Sequence, residues 1–310
     1  VSGPSNLAFA AWAGRDASIR ATYVARSTDN GASWGPSKFI SGDLDSPKDA
    51  TIALGGSRLM VVFTAVASGY RSVYAVTSNN WGAKWSSPVL IASGESARVG
   101  IPSIAIDANG IGVAVWEEGS SLSEAIYTAR STDGGRSGSE RSRVNPAPSP
   151  WQIRPTILAT RDGGFLLAWD EEYDIYTSRS NDAGLTWGTK VLVFDASHGW
   201  RAEPMLAMAD NGNAYIVWDS YYDIHTAYMP KGSMKWTEPA RVDDSPEGTQ
   251  QRRPVMTVDR EGVVHVAWED NRNGEYAVHY SLSTPCKPGF TFCEAQCIPS
   301  SEGRCCGGIW

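Results

Sequence analysis

Phe165-Leu166-Leu167-Ala168-Trp169-Asp170-Glu171 runs into Asp174-Ile175-Tyr176-Thr177-Ser178 and then into Ser180-Asn181-Asp182-Ala183-Gly184-Leu185-Thr186-Trp187. Two short apolar runs followed by a Gly-centred reversal describe strands joined by hairpins. Arg154-Pro155-Thr156-Ile157-Leu158 before them and Lys190 to Phe194 after them bring the strands to four. Arg161-Asp162-Gly163-Gly164 makes the first turn, where Gly accepts the positive φ that other residues resist. The same turn recurs as Asp107 to Gly110, Asp210-Asn211-Gly212 and Asp259 to Gly262. Helical periodicity is almost absent.

The unit repeats. A strand ends in an aromatic residue at Trp12, Phe63, Trp116, Trp169, Trp218 and Trp268, in steps of 51, 53, 53, 49 and 50 residues. A repeat of that length built from short strands cannot bury its own core, so copies must pack side by side. The fold expected is all-β, a six-bladed β-propeller of four-stranded antiparallel blades, with five blades as the alternative number. The ends are less regular. Repeat one starts at its second strand, Asn6 to Trp12, and repeat six stops after its third, Ala277 to Ser283. Val1 to Ser5 or the C-terminal tail is left to complete the ring.

With 310 residues, 42% of them hydrophobic, and 13 Trp and 12 Tyr, the chain can build a substantial core. Its net charge of −7 and pI near 5.2 argue against a nucleic-acid partner, because binding phosphate needs a basic surface. The longest mainly apolar stretch, Leu59 to Ala67, is far short of the roughly 18 residues that cross a bilayer. No membrane span is expected.

The five cysteines, Cys286, Cys293, Cys297, Cys305 and Cys306, all fall in the last 25 residues. A short Gly/Pro-rich segment so dense in cysteine reads as a disulfide-stapled module, here 285–310 after a propeller at 1–284. The odd number leaves one thiol for an intermolecular bond or a free cysteine. Zinc is the competing reading, without the Cys-x-x-Cys pair its sites usually carry. An extracellular, secreted protein follows, and a chain that starts at Val1 fits a removed signal peptide. No cofactor and no metal spacing among the four histidines is read.

The Gly-centred reversals resemble the Asp-box, or bacterial neuraminidase repeat, Ser-x-Asp-x-Gly-x-Thr-Trp. Ser180 to Trp187 fits completely and Ser27 to Trp34 fits with Ser33 in the Thr place. Ser78 to Trp85 has Asn80 for Asp and Lys84 for Thr, and Ser131 to Gly138 keeps Ser131, Asp133 and Gly135 without the tryptophan. The fifth, around Gly232 and Trp236, keeps little else, and the sixth repeat has none. The tryptophan is expected to cover the gap between strands as a buried residue. Leu7 to Arg15 followed by Ala25 to Gly31, and Arg253-Pro254-Val255 followed by Trp268 to Gly274, are similar to sialidase blades. That resemblance implies a six-bladed propeller in which arginines hold an anionic sugar, with the boxes on the face opposite the ligand. No segment matches the family's nucleophilic Tyr or its acid/base Asp, so no catalytic residue is carried across.

In antiparallel blades, the segment entering the innermost strand and the segment leaving the second emerge on one face. Lys48, Arg98, Arg154, Arg201, Arg252 and Arg253 enter; Glu117, Glu118, Asp170, Glu171, Asp219, Glu269 and Asp270 leave; Tyr173, Tyr221, Tyr222, Trp151 and Trp200 accompany them. One reading is a network of salt bridges between blades, each exposed pair contributing about 0–1 kcal/mol. The other is a ligand site in which arginines grip an anion, carboxylates bind hydroxyls and aromatics stack on sugars. The candidate set is Arg98, Arg154, Arg201, Arg253, Glu117, Asp170, Asp219, Glu269, Tyr222 and Trp200. Three functions are expected to compete: a glycan-binding, lectin-like propeller; an exo-glycosidase of sialidase type; and a structural subunit that self-associates through the odd cysteine or an open blade edge.

Overall fold

The computed structural model describes residues 1–283 except 2, 4–5, 17–18, 95–96, 121–122, 146–150, 194–200 and 247, together with 290–293 and 296–299. Every regular element among them is a strand, arranged as six successive small antiparallel sheets, blades 1 to 6, and a separate terminal hairpin of Phe290–Cys293 with Gln296–Pro299. The chain clusters into two compact units, 1–167 with 178–189 and 168–177 with 190–310.

In the first unit, blade 1 is Ala8–Asp16, Ile19–Ser27 and Lys38–Phe39. Blade 2 is Asp45–Gly55, Arg58–Ala67, Tyr70–Ser78 and Val89–Ala92. Blade 3 has an inner strand interrupted into Arg98–Val99 and Ser103–Ile106, then Gly112–Ser120, Ser123–Ser131 and Ser142–Arg143. The division between units falls within blade 4, which is Gln152–Ala159, Phe165–Glu171, Asp174–Ser180 and Val191–Leu192. The second unit contains blade 5, Arg201–Met208, Ala214–Ser220, Asp223–Met229 and Ala240–Arg241, and blade 6, Gln251–Val258, Val264–Asp270 and Ala277–Leu282.

Two blades therefore depart from the four strands expected. In blade 1 the backbone of Val1 exchanges hydrogen bonds with Phe9, 2.8 and 2.9 Å, in place of an inner strand. Blade 6 has no outer strand among the described residues, and its third strand leaves Val278, Tyr280 and Leu282 exposed on alternate positions. Apart from the terminal hairpin, the tail read as a disulfide module lies outside the described residues.

The aromatic strand ends organise every blade. Each faces a ring on the third strand: Trp12 with Tyr23, Phe63 with Tyr74, Trp116 with Tyr127, Trp169 with Tyr176, Trp218 with His225 and Trp268 with His279, centroids 5.8 to 6.5 Å apart. Such pairs contribute about 0.5–1.5 kcal/mol beyond burial. Phe63, Trp116 and Trp169 are wholly buried, and in the first unit Met60, Val62, Ile104, Ile106 and Ala114 pack with Trp116 into one cluster. His225 and His279, obscure as histidines, are the tyrosine position of their blades.

The second of the two acids after the tryptophan is structural. Trp116 Nε1 donates to Glu118, Trp169 Nε1 to Glu171 and Trp268 Nε1 to Asp270, at 3.1, 3.0 and 3.2 Å. Each acid also meets a cation, Arg141, Lys190 and Arg272 respectively.

The Ser-x-Asp-x-Gly reversals are built as their residue types predict. Ser27, Ser78, Ser131 and Ser180 each accept, through Oγ, the N–H of the Gly four residues on, at 2.8 to 2.9 Å. Asp29, Asp133 and Asp182 accept N–H groups of the following turn, and Asn80 does the same from Lys84 at 2.9 Å. The substituted copy works because an amide oxygen accepts the same bond. One expectation fails here: Trp34 is 47% exposed, and Trp85 and Trp187 are only partly buried. The deeply buried tryptophans are the strand-end Trp116, Trp169, Trp218 and Trp268, whereas Trp12 at the strand end of blade 1 is exposed.

Candidate functional site

The inner strands of blades 2, 4, 5 and 6 each contain a residue in the left-handed region, Asp49, Arg154, Glu203 and Arg253, with φ of 56, 52, 58 and 53°. Three of the four precede a proline, Pro155, Pro204 and Pro254, and a break in register marks the spot in blades 2, 5 and 6. This bulge turns one residue per blade out of the ladder. In blades 4 and 5 its backbone N–H is caught by the acid that follows the strand-end tryptophan of the preceding blade. Arg154 N–H donates to Glu117 at 2.6 Å, and Glu203 N–H to Asp170 at 3.4 Å. Glu117 and Asp170 thus tie blades together as well as facing the strand mouths.

In the first unit these elements enclose a cleft of about 620 Å³, lined by Lys48, Asp49, Arg71, Arg98, Glu117, Glu124 and Arg154 among others. That volume lies in the range of small-molecule sites. Arg98 is an exposed side chain 3.7 Å from the carboxylate of Glu124. Arg71 donates to Ser46 O and Thr64 Oγ1, at 3.0 and 3.2 Å, and Thr64 donates to Asp49. Glu117 is only 8% exposed. Burial raises its carboxyl above the ordinary carboxylate range, opposed by the Arg154 N–H and seconded by the charge of Glu124. A carboxyl in a cationic cleft that holds its proton more tightly than usual can give that proton to a bound oxygen.

In the second unit Glu269 takes hydrogen bonds from both Arg252 and Arg253, 2.8 and 3.1 Å, and Arg252 lies over the Tyr276 ring at 3.7 Å. The hydrogen bond from Arg252, with Arg253 adding to it, lowers the Glu269 carboxyl. Asp219 is buried and Tyr222 is exposed at a hairpin tip. Tyr221 and Tyr222 hold φ of 52 and 73°, as Glu172 and Tyr173 hold 51 and 74° in the corresponding turn of blade 4. Asn-Gly is the pair such two-residue turns prefer. The side chain of Arg201 and all of Trp200 lie outside the described residues.

Arg98, Arg154 and Glu117 share the first unit's cleft; Asp170, Asp219, Tyr222, Arg253 and Glu269 belong to the second unit, where Arg253 is paired. Arg98 and Arg201 stand in the ladder, opposite Gly119 and Ser220, and not at the bulge position of Arg154 and Arg253. Asp49, Arg71, Glu124 and Glu203 escaped that reading. The x-Pro step at 154–155, 203–204 and 253–254 is the sequence signal that marks three of the four positions. Among the described residues no group of His, Cys, Asp and Glu is placed to hold a metal ion, and no helix is long and apolar enough to cross a membrane.

No family model matches the chain, and no curated protein matches it. Solved structures do. The intramolecular trans-sialidase from Ruminococcus gnavus, in complex with oseltamivir carboxylate, is 13% identical, with 90% of this chain and 92% of that one covered and a TM-score of 0.61. The NanB sialidase from Streptococcus pneumoniae is 11% identical with a TM-score of 0.58; 81% of this chain is covered, and it spans 63% of that one. A PL25 ulvan lyase bound to -[GlcA(1-4)Rha3S]- is 10% identical, 91% and 82% covered, with a TM-score of 0.60. At these identities the likeness is one of fold, the β-propeller of sialidases and of a polysaccharide lyase.

Proposed function

We propose that this protein is a secreted, glycan-recognising propeller that binds an anionic carbohydrate in the cleft of Lys48, Arg71, Arg98 and Arg154. One observation carries the reading: in a chain of net charge −7 one ligand-sized cleft is lined by four cations, Lys48, Arg71, Arg98 and Arg154, against three carboxyls, of which Glu117 is raised towards its neutral form by burial. The neighbours of the same fold include a trans-sialidase with a bound carboxylate inhibitor and a lyase with a bound uronic-acid saccharide, which supports an acidic sugar. A glycan array run beside a fluorogenic sialoside assay tests it. Acidic glycans are expected to bind and neutral ones not, with binding lost in Arg98→Ala; an array that is blank or indifferent to charge removes the reading.

Hydrolysis is the second reading, favoured by Glu117. A protonated Glu117 would pass its proton to the leaving glycosidic oxygen while water, losing a proton to a second carboxylate, adds to the anomeric carbon. Release of free sugar by the wild type and its loss in Glu117→Gln would establish turnover. A structural role is favoured by the third strand of blade 6, whose outer edge is unpaired among the described residues and where Val278 is 79% exposed. Sedimentation with and without reductant distinguishes assembly of copies through this edge from assembly through the cysteine tail.

A further inference from the structure

A second cleft of about 400 Å³ in the first unit is lined by Ala13, Gly14, Arg15, Arg20, Pro47, Lys48 and Asp49. It shares Lys48 and Asp49 with the first cleft, so the two adjoin. Arg15 and Arg20 stand directly opposite each other on the two strands of the blade 1 hairpin, both exposed. Like charges in that relation destabilise a strand pair. Among the described residues the side chains of Arg15, Arg20 and Lys48 have no hydrogen-bond or ion-pair partner. Three cations line this cleft without an ion pair among the described residues, two of them set against each other, with Asp49 the one carboxylate beside them. Sites kept at the expense of stability point to function.

We propose that the two clefts form one continuous track for an acidic polysaccharide, a chain carrying carboxylate or sulfate groups on successive sugars, and not for a single terminal acidic sugar. Arg98, Arg71 and Arg154 hold one charged unit, Lys48 bridges, and Arg15 with Arg20 clamps a charged group further along. The negative group between Arg15 and Arg20 turns their repulsion into two attractions. Trp12, partly exposed, lies against Gly14 with its indole 3.1 to 3.2 Å from the point where a Cβ there would sit. It places an aromatic ring beside the second cleft, suited to the apolar face of a sugar.

This proposal rests on the reading that the first cleft binds an acidic sugar, and its test separates the two. Calorimetric titration uses galacturonic acid oligomers of two and eight units, with neutral dextran oligomers and a single-stranded DNA octamer as controls. The octamer is expected to bind at least tenfold more tightly than the dimer, with a steeper loss in added salt. Arg20→Glu is expected to reduce octamer binding to the level of the dimer, leave the dimer unchanged, and raise the unfolding temperature by setting opposite charges face to face. Equal affinity for dimer and octamer, or octamer binding unmoved in Arg20→Glu, overturns the track while dimer binding lost in Arg98→Ala leaves the first cleft standing. DNA bound as tightly as the octamer overturns the sugar as its occupant. Absence of binding by any acidic oligomer overturns both readings.

Discussion

The backbone N–H of Arg154 donates to the buried carboxylate of Glu117 across 2.6 Å, joining the bulge of blade 4 to the strand end of blade 3. The bond locks a non-glycine residue at positive φ, and conformations of that kind typically cost of order 1–3 kcal/mol unless their surroundings hold them. It also places Arg154 and Glu117 in the same cleft.

Glu117 sets a pH dependence. Its folded-state carboxyl titrates above the unfolded value of 4.5, because burial favours the neutral form. The stability it supplies is complete below that value and is lost as pH rises through the folded one. Glu117→Gln keeps an oxygen to accept the Arg154 N–H and removes the titration. Urea unfolding across pH 4 to 8 is expected to show a flatter profile in the variant on the acid-to-neutral side.

The Ser-x-Asp-x-Gly turns act in the opposite sense. Side-chain hydrogen bonds from Thr186 to Asp182 and from Ser33 to Asp29 lower both carboxyls from 3.8 to about 2. Their contribution is present above the unfolded value and disappears as pH falls from about 4 towards 2. Asp182→Asn is expected to fold, as the Asn80 turn does, and to lose less stability than the wild type between pH 4 and 2. Denaturant melts at both ends of that window decide it.

Tryptophans divide by burial. Trp169→Ala, at a wholly buried position, is expected to cost about 3–5 kcal/mol, whereas Trp34→Ala, half exposed, should cost under about 1 kcal/mol. Chemical denaturation of the two variants measures the gap.

The Tyr221-Tyr222 turn is strained as it stands, since both residues hold positive φ. Replacing the pair with Asn and Gly gives the turn its preferred residues and is expected to raise stability by roughly 1–2 kcal/mol. A thermal melt with no gain contradicts that account of the turn.

The sheets were legible because the strand-end aromatics and the Gly-centred turns are local signals repeated six and four times over. Burial of the box tryptophans was not legible, since the motif specifies their place in the turn and not what packs over them. The site was legible only in part. Arg98, Arg154 and Glu117 were found as charged residues next to strand ends, but a one-residue bulge changes which side chain leaves the ladder. Asp49, Glu203 and Arg253 share that position with Arg154, so the charge there alternates from blade to blade. Arg71 and Glu124 stand at the start of third strands, just past the turn, and the antiparallel pairing that sets them opposite Val66 and Gly119 brings them to the cleft. Arg15 and Arg20 look like ordinary surface residues until their register sets them opposite each other.

The central claim is that the cleft of Lys48, Arg71, Arg98 and Arg154 binds an acidic sugar, and Lys48 tests it most cleanly, its exposed side chain having no hydrogen-bond partner among the described residues. Calorimetric titration of wild type and Lys48→Ala with digalacturonate is the measurement. Saturable binding weakened at least fivefold by the substitution, with unfolding unchanged, is the predicted result. Absent binding, or binding of equal strength in both proteins, contradicts it.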